Sequence, residues 1–280
     1  MDRTAYCRRV DQFDLDTFLD RLDIERHHVA LDLAGLARLQ HAILAAVPLH
    51  DLHVLDGSHP GVDDVDMASR AQAGLGNWRF GANATFAVVL RALGFNVAIS
   101  GAALLLDGPN RRIDHIVLEV SAPDLEPHLV DVGLEHSPTQ PVRLNSGDVQ
   151  TLGHGQYQLV PSPQGTTLAA IDDSTPTAVL RFRRVAHPFD DFAATITRER
   201  ERHRSPGDVD PTATRLVGPT TFDRVTLTAH RIEIHRADGV TVDDVDDWDS
   251  AIEQWFPSLG ATGSARGPHV GVGEQRRDHP

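Results

Sequence analysis

The sequence contains no lysine; all 26 of its basic residues are arginine. Schiff-base chemistry and an amine general base are therefore excluded, because both need a lysine side chain. The same bias suggests a GC-rich genome, in which Arg codons displace Lys codons. Cysteine is nearly absent as well. A single one, Cys7, allows neither an internal disulfide nor a cysteine-cluster zinc site. No run approaches the roughly 18 consecutive apolar residues of a membrane span, and "MDRTAYCRRVDQFDLD" is too charged for a signal peptide. The chain is expected to be soluble and cytoplasmic. Basic charge is also short: 40 acidic residues leave a net charge of −14. That argues against a nucleic-acid partner, which would need a basic face, and no membrane partner is expected.

What is present is an ordinary globular composition, 40% apolar over 280 residues, enough for one large domain or a few small ones. Residues 13–56 read as helical: Phe13, Phe18, Leu19 and Leu22 form one stripe, and Leu33, Leu36, Leu39, Ile43 and Leu44 another that Pro48 ends. "DGSHPGVDD" reads as a loop, and residues 82–94 as a helix stopped by Gly94. From residue 95 the pattern turns to short β-branched segments, "FNVAISGAALLL", "HIVLEVSA", "PHLVDVGL", "GQYQLVP" and "AVLRFRRV". Helical character returns in "FDDFAATITRERERH". Strands follow in "ATRLVG" and "RVTLTAHRIEIHRADGVTV", then a helix "WDSAIEQWF" and a tail with almost no apolar content.

Sixteen histidines invite a metal site, but their spacings are poor for one ion. His230 and His235 would fall on opposite faces of a strand, and His50 and His53 follow a helix-ending proline. Surface or half-buried histidines account for them better, and no metal is expected. No G-x-S-x-G elbow and no phosphate-binding glycine loop is present, and "DDVDDWD" lacks the offsets of a calcium loop. One pair stands out. His115 begins "HIVLEV", and Asp131 lies within "HLVDVGL", read as a strand. If the two strands are neighbours, the carboxylate can orient the imidazole as a general base; a structural His–Asp hydrogen bond is the plainer alternative.

At these residues the chain resembles the arylamine N-acetyltransferase family over roughly residues 13–256. "FLDRLDI", "LQHAILAAV" and "PLHDLHVLDG" are similar to the family's "YLxRI" helix, its His-containing helix and its "IPFENLD". "HIVLEV" and "LVDVGLE" are similar to the strands that carry its catalytic His and Asp, and "HPFDDFAATITRERERHRSP" to a segment of its lid. The resemblance implies an α+β fold with a cysteine-protease-like core. Its parts would be a helical bundle over 1–94, a β-barrel over 95–186 holding His115 and Asp131, an α/β lid over 187–258 and a disordered tail over 259–280.

The family's "RGGYCFExN" is met here by "LGNWRFGAN". Gly76, Phe80 and Asn83 match, and Trp78 stands for the aromatic before the nucleophile. Arg79 occupies the catalytic cysteine position, Leu75 replaces the motif's Arg, and Gly81 its Glu; His50 replaces the Glu of "PFENL". In the family a Cys thiolate takes an acyl group from a thioester and passes it to an amine. A guanidinium cannot, since it keeps its proton and has no lone pair to offer. Two roles for Arg79 are open: a salt bridge with Asp131 or another acid, or an anchor for a substrate anion.

Two functions follow. One is a divergent enzyme of small-molecule, specialised metabolism, with His115 as general acid/base, Asp131 as its orienter and Arg79 as anion anchor. Trp78, Phe80 and Asn83 would bind its substrate, in non-covalent acyl transfer or a cyclisation. The other is a catalytically dead binding or regulatory homologue that uses the old cleft. The resemblance implies no tightly bound cofactor, and an acyl-CoA or carrier-protein thioester as co-substrate. Besides the small-molecule substrate, it leaves a homo-oligomer or an acyl carrier protein as partners.

Overall fold

The computed structural model describes residues 13–52, 61–202, 211–218 and 221–260. The first two α-helices among the described residues are α1 (Leu15–Arg21) and α2 (Leu33–Ala46). Each starts at an aspartate whose carboxylate accepts from a backbone N–H of the first turn, Asp14 from Asp16 and Asp32 from Gly35. The expected continuous helical run is therefore broken. After Pro48 the chain forms a two-residue strand, β1 (Leu49–His50), too short to leave a periodic signal. A further helix, α3 (Asp64–Gln72), was not expected; Asp63 caps it by accepting from Val65 and Asp66. The helix expected at 82–94 starts earlier, as α4 (Arg79–Leu93). It does end at Gly94, whose φ of 107° suits a residue without Cβ.

Eight antiparallel strands form a barrel-like sheet in the order β5-β4-β3-β2-β9-β8-β7-β6. Its central members are β2 (Asn96–Leu104), β3 (His115–Ala122), β4 (Leu125–Val130) and β9 (Thr175–Phe182). β5 (Val142–Arg143) and β6 (Gln150–Leu152) are short edges. β7 (Gly155–Ser162) was expected; β8 (Gly165–Asp172) was not. α4 lies against β2 and β3, and Phe80, Phe86, Leu90, Ile99, Ile116 and Leu118 are fully buried between them. Burying each such side chain contributes about 1.5–3 kcal/mol, so the start of α4 is fixed on the sheet.

The chain then forms α5 (Ala193–Arg202) and a second antiparallel sheet. Its strands are β10 (Ala213–Leu216), β11 (Arg224–Leu227), β12 (Arg231–Arg236) and β13 (Gly239–Asp244), with β1 pairing on β10. α6 (Trp248–Trp255), with Phe256 just past its end, covers one face of this sheet through Trp248, Ile252 and Phe256. β1 is the tie between the two regions. Leu49 pairs with Thr214 on one side and bridges Asn77, just before α4, on the other. Among the described residues no helix is long and apolar enough to cross a membrane. The expected disordered tail, 259–280, starts too early: residues 257–260 form a helical turn in which Leu259 is buried. The rest of it, from residue 261, lies outside the described residues, as does Cys7.

Candidate active site

Arg79 is the first residue of α4, preceded by an extended Trp78 that gives the helix no side-chain cap. A cation there faces the positive end of the helix dipole, so it requires an acid. The acid is Glu199 of α5, 120 residues away in sequence: Arg79 Nη2 donates to Glu199 Oε2 at 3.0 Å. The Glu199 side chain is 3% exposed and that of Arg79 is 21%. Arg79 Nε donates to the Asp114 carbonyl at 3.0 Å, and the guanidinium carbon lies 5.9 and 5.5 Å from the Trp78 and Phe80 ring centres, within cation–π range. Burial pulls the guanidinium below its ordinary pKa, while Glu199, Asp114 and Asp51 pull the other way. Nη1 makes no hydrogen bond among the described residues.

β3 and β4 are neighbours, with Leu118 opposite Val130. β4 ends at Val130, so Asp131 is the first residue past the strand and not within it. The register nevertheless makes His115 its diagonal neighbour on the same face. His115 Nε2 lies 2.8 Å from Asp131 Oδ2, both side chains being almost wholly buried; an ionised carboxylate there assigns the proton to Nε2. His115 Nδ1 is buried and has no partner among the described residues. Asp131 Oδ1 accepts from Asn83 Nδ2 and the Gly133 N–H, each at 2.8 Å. Burial alone would raise the Asp131 pKa. The charge and hydrogen bond of His115, with those of Asn83 and Gly133, outweigh it and hold the carboxyl below its usual range.

Asn83 is saturated by protein. Its Nδ2 also donates to the Ile116 carbonyl at 2.8 Å, and its Oδ1 accepts from the Val132 N–H at 2.9 Å. Gly133 joins the two halves of the site: a Cβ there would fall 2.4 Å from the Arg79 carbonyl oxygen and 3.0 Å from His115 Cε1. Two departures from the family pattern also meet each other. His50 Nε2 donates to the Leu75 carbonyl at 2.8 Å, while its Nδ1 accepts from the Leu52 N–H at 3.2 Å. Gly81 is small for a reason: a Cβ would lie 2.3 Å from Asn77 Oδ1.

A cavity of about 220 Å³ opens beside Arg79, walled by Trp78, Leu134, Gly133, His136 and Leu49. His115, Asp131, Phe80 and Asn83 are not in its wall; all four are buried. Of the three residues expected to bind substrate, Trp78 alone lines the cavity, and Phe80 and Asn83 support the site from behind. Arg79 pairs with Glu199; Asn83 and His115 are what hold Asp131. For metals, one trio among the described residues, Glu25, His27 and His28, brings its ligand atoms within 4.8 Å of one another, on the exposed surface.

A profile of the N-acetyltransferase family matches residues 32–257. The chain belongs to the arylamine N-acetyltransferase family. Its fold is that of solved arylamine N-acetyltransferases. The Mycobacterium marinum protein in complex with CoA is 23% identical, covers 90% of this chain and 95% of its own, and has a TM-score of 0.79. The M. tuberculosis protein is 23% identical over 93% and 97%, TM-score 0.77, and the Salmonella typhimurium protein 22% over 88% and 91%, TM-score 0.76. No curated protein matches the sequence.

Within this arylamine N-acetyltransferase fold, the site residue that the sequence reading missed is Glu199. It sits in "TRERERH", which looks like a solvated charged face. The available signal was its spacing: Ile196 and Glu199 are three residues apart and are the two buried positions of α5.

Proposed function

We propose that this protein binds a small molecule in the cleft beside Arg79 and carries no acyl group covalently. The observation behind this reading is the placement of Arg79. It stands at the start of α4, where the family resemblance sets the nucleophile, and is held there by Glu199 and the Asp114 carbonyl. A guanidinium in that place has no lone pair for a thioester carbon. Among the described residues the cavity wall contains no cysteine or serine, and the hydroxyl of Thr214 already donates to the Val225 carbonyl. What the cavity offers instead is binding. Arg79 Nη1 supplies a fixed cationic donor for a carboxylate, phosphate or enolate, and Trp78 and Leu134 supply apolar wall. A thioester delivered on CoA is the ligand class to try first, since the M. marinum relative is solved with CoA; a carrier-protein thioester is the other form of the same group.

A second reading is an enzyme that uses His115 as general acid/base, without a covalent intermediate, in direct acyl transfer or cyclisation. One observation favours it. The oriented His115–Asp131 pair keeps an unpartnered Nδ1, though His115 is 0% exposed and the cleft would have to open for substrate to reach it.

Titrating the protein with CoA, and assaying it with acetyl-CoA plus an aromatic amine, separates the two. Saturable CoA binding with no acetylated amine above the uncatalysed rate is expected. Turnover would overturn the binding reading, and its loss in His115→Gln would establish the second. Absence of saturable CoA binding would remove CoA as the ligand.

A further inference from the structure

β11 and β12 present two unlike faces. Val225, Leu227, Ile232 and Ile234 pack into the apolar cluster under α6. The alternate residues, Arg224, Thr226, Arg231, Glu233 and His235, line a cavity of about 330 Å³ whose opposite wall includes Tyr157 and Leu152 of the barrel. Of these, Arg224 and Thr226 are buried, and buried polar groups are unfavourable unless water or a polar ligand satisfies them.

Three buried polar atoms of this cavity have no hydrogen-bond partner among the described residues: Arg224 Nη2, Ser137 Oγ and Thr139 Oγ1. Their residues are 7%, 2% and 9% exposed. Arg224 also makes no ion pair among the described residues, whereas the polar side chains around it are in contact with partners. Glu135 meets His136 at 3.0 Å, Glu233 meets Arg231 at 2.9 Å, and His154 meets Asp223 at 2.9 Å. Burial draws the Arg224 guanidinium below its ordinary pKa, against the pull of Tyr157, Glu135 and Asp131. A buried cation without a partner is strongly unfavourable by itself. It is tolerable where a ligand brings the counter-charge.

We propose that this cavity binds a carboxylate-bearing small molecule, with Arg224 as its counter-ion and the Ser137 and Thr139 hydroxyls as further donors. A monoanion fits better than a dianion, because Glu135 and Glu233 line the same cavity and would repel each added negative charge. The volume is at the lower end of the range for small-molecule sites, and Tyr157, Leu152 and Phe222 give it apolar wall for an aryl or short alkyl body. The cavity adjoins the Arg79 cleft, sharing Glu135, His136 and Thr212 with it, and Arg224 lines this cavity but not that cleft. The inference stands whichever reading of that cleft holds.

Calorimetric titration of the full chain with benzoate, and separately with inorganic phosphate, tests it. Benzoate is expected to bind saturably and more tightly than phosphate. Arg224→Met should weaken it at least about tenfold, the size of a lost charge-assisted hydrogen bond. Without ligand that variant should melt at or above the wild-type temperature, because it removes an unpaired buried charge. The Ser137→Ala/Thr139→Val double variant leaves Arg224 in place and should weaken benzoate several-fold, so the idea remains testable if Arg224→Met fails to fold. No saturable benzoate binding, a preference for phosphate, or unchanged affinity in the variants would overturn the proposal.

Discussion

Replacing Asp131 by alanine is expected to cost about 3–5 kcal/mol of folding stability, the range for removing one partner of a buried charged pair. The carboxylate is the hub of the site, accepting from His115, Asn83 and the Gly133 N–H. Its loss strands three buried donors at once. The effect should read out as a lower urea midpoint with an unchanged slope. It should also depend on pH in a definite sense. The folded-state pKa of Asp131 lies below its usual value, so its contribution is fully present above the unfolded-state value of about 3.9. That contribution is lost as pH falls from there through the folded-state value. The Asp131 contribution to the gap between wild type and Asp131→Ala should therefore shrink as pH falls below the unfolded-state value. Asp131→Asn keeps the shape and removes the charge, so it should fall between the two.

The second large effect is chemical. In the Arg79→Cys/Glu199→Gln variant a thiol would stand at the first position of α4, close to His115, with Gly133 the contact between them. The Glu199 change is needed because that side chain is 3% exposed and would otherwise keep only Arg198 and Arg202, at 3.3 and 3.7 Å. The positive end of a helix dipole lowers a thiol pKa below the free value of about 8.5. The variant should thus hold about tenfold more thiolate at pH 7 than a free cysteine, if the shift is a single unit. Alkylation rate against pH measures this. A midpoint at or above 8.5 would mean that the cleft has lost the electrostatics a nucleophile needs.

Much of this arrangement can be read along the chain. Apolar spacing marks α2 and the later part of α4, β-branched runs mark β2 to β4, and Asp131 within an apolar segment demands a partner that His115 supplies. Other features leave weak traces. β1 is two residues long, and its importance comes from bridging Asn77 and Thr214, a tertiary fact. α3 is short and follows a Gly- and Asp-rich loop, so its cap at Asp63 is easily read as loop. α4 begins three residues before the expected start because Trp78, Arg79 and Phe80 look like a turn with bulky side chains. Glu199 is hidden in a charged run. Its role depends on how α5 packs on the barrel, and local composition carries no information about that. The substituted positions were visible, but not their contacts: His50 and Leu75 are 25 residues apart and meet through one hydrogen bond.

With a guanidinium at position 79 in place of a nucleophile, this chain is expected to carry no acyl group. Intact-mass spectrometry of the wild-type protein after incubation with acetyl-CoA tests it most directly, with the Arg79→Cys/Glu199→Gln variant treated in parallel. The predicted result is an unmodified wild-type chain and a variant that gains one acetyl group, removable by hydroxylamine as a thioester is. A wild-type chain that becomes acetylated at any residue and passes the group to an aromatic amine would contradict the account.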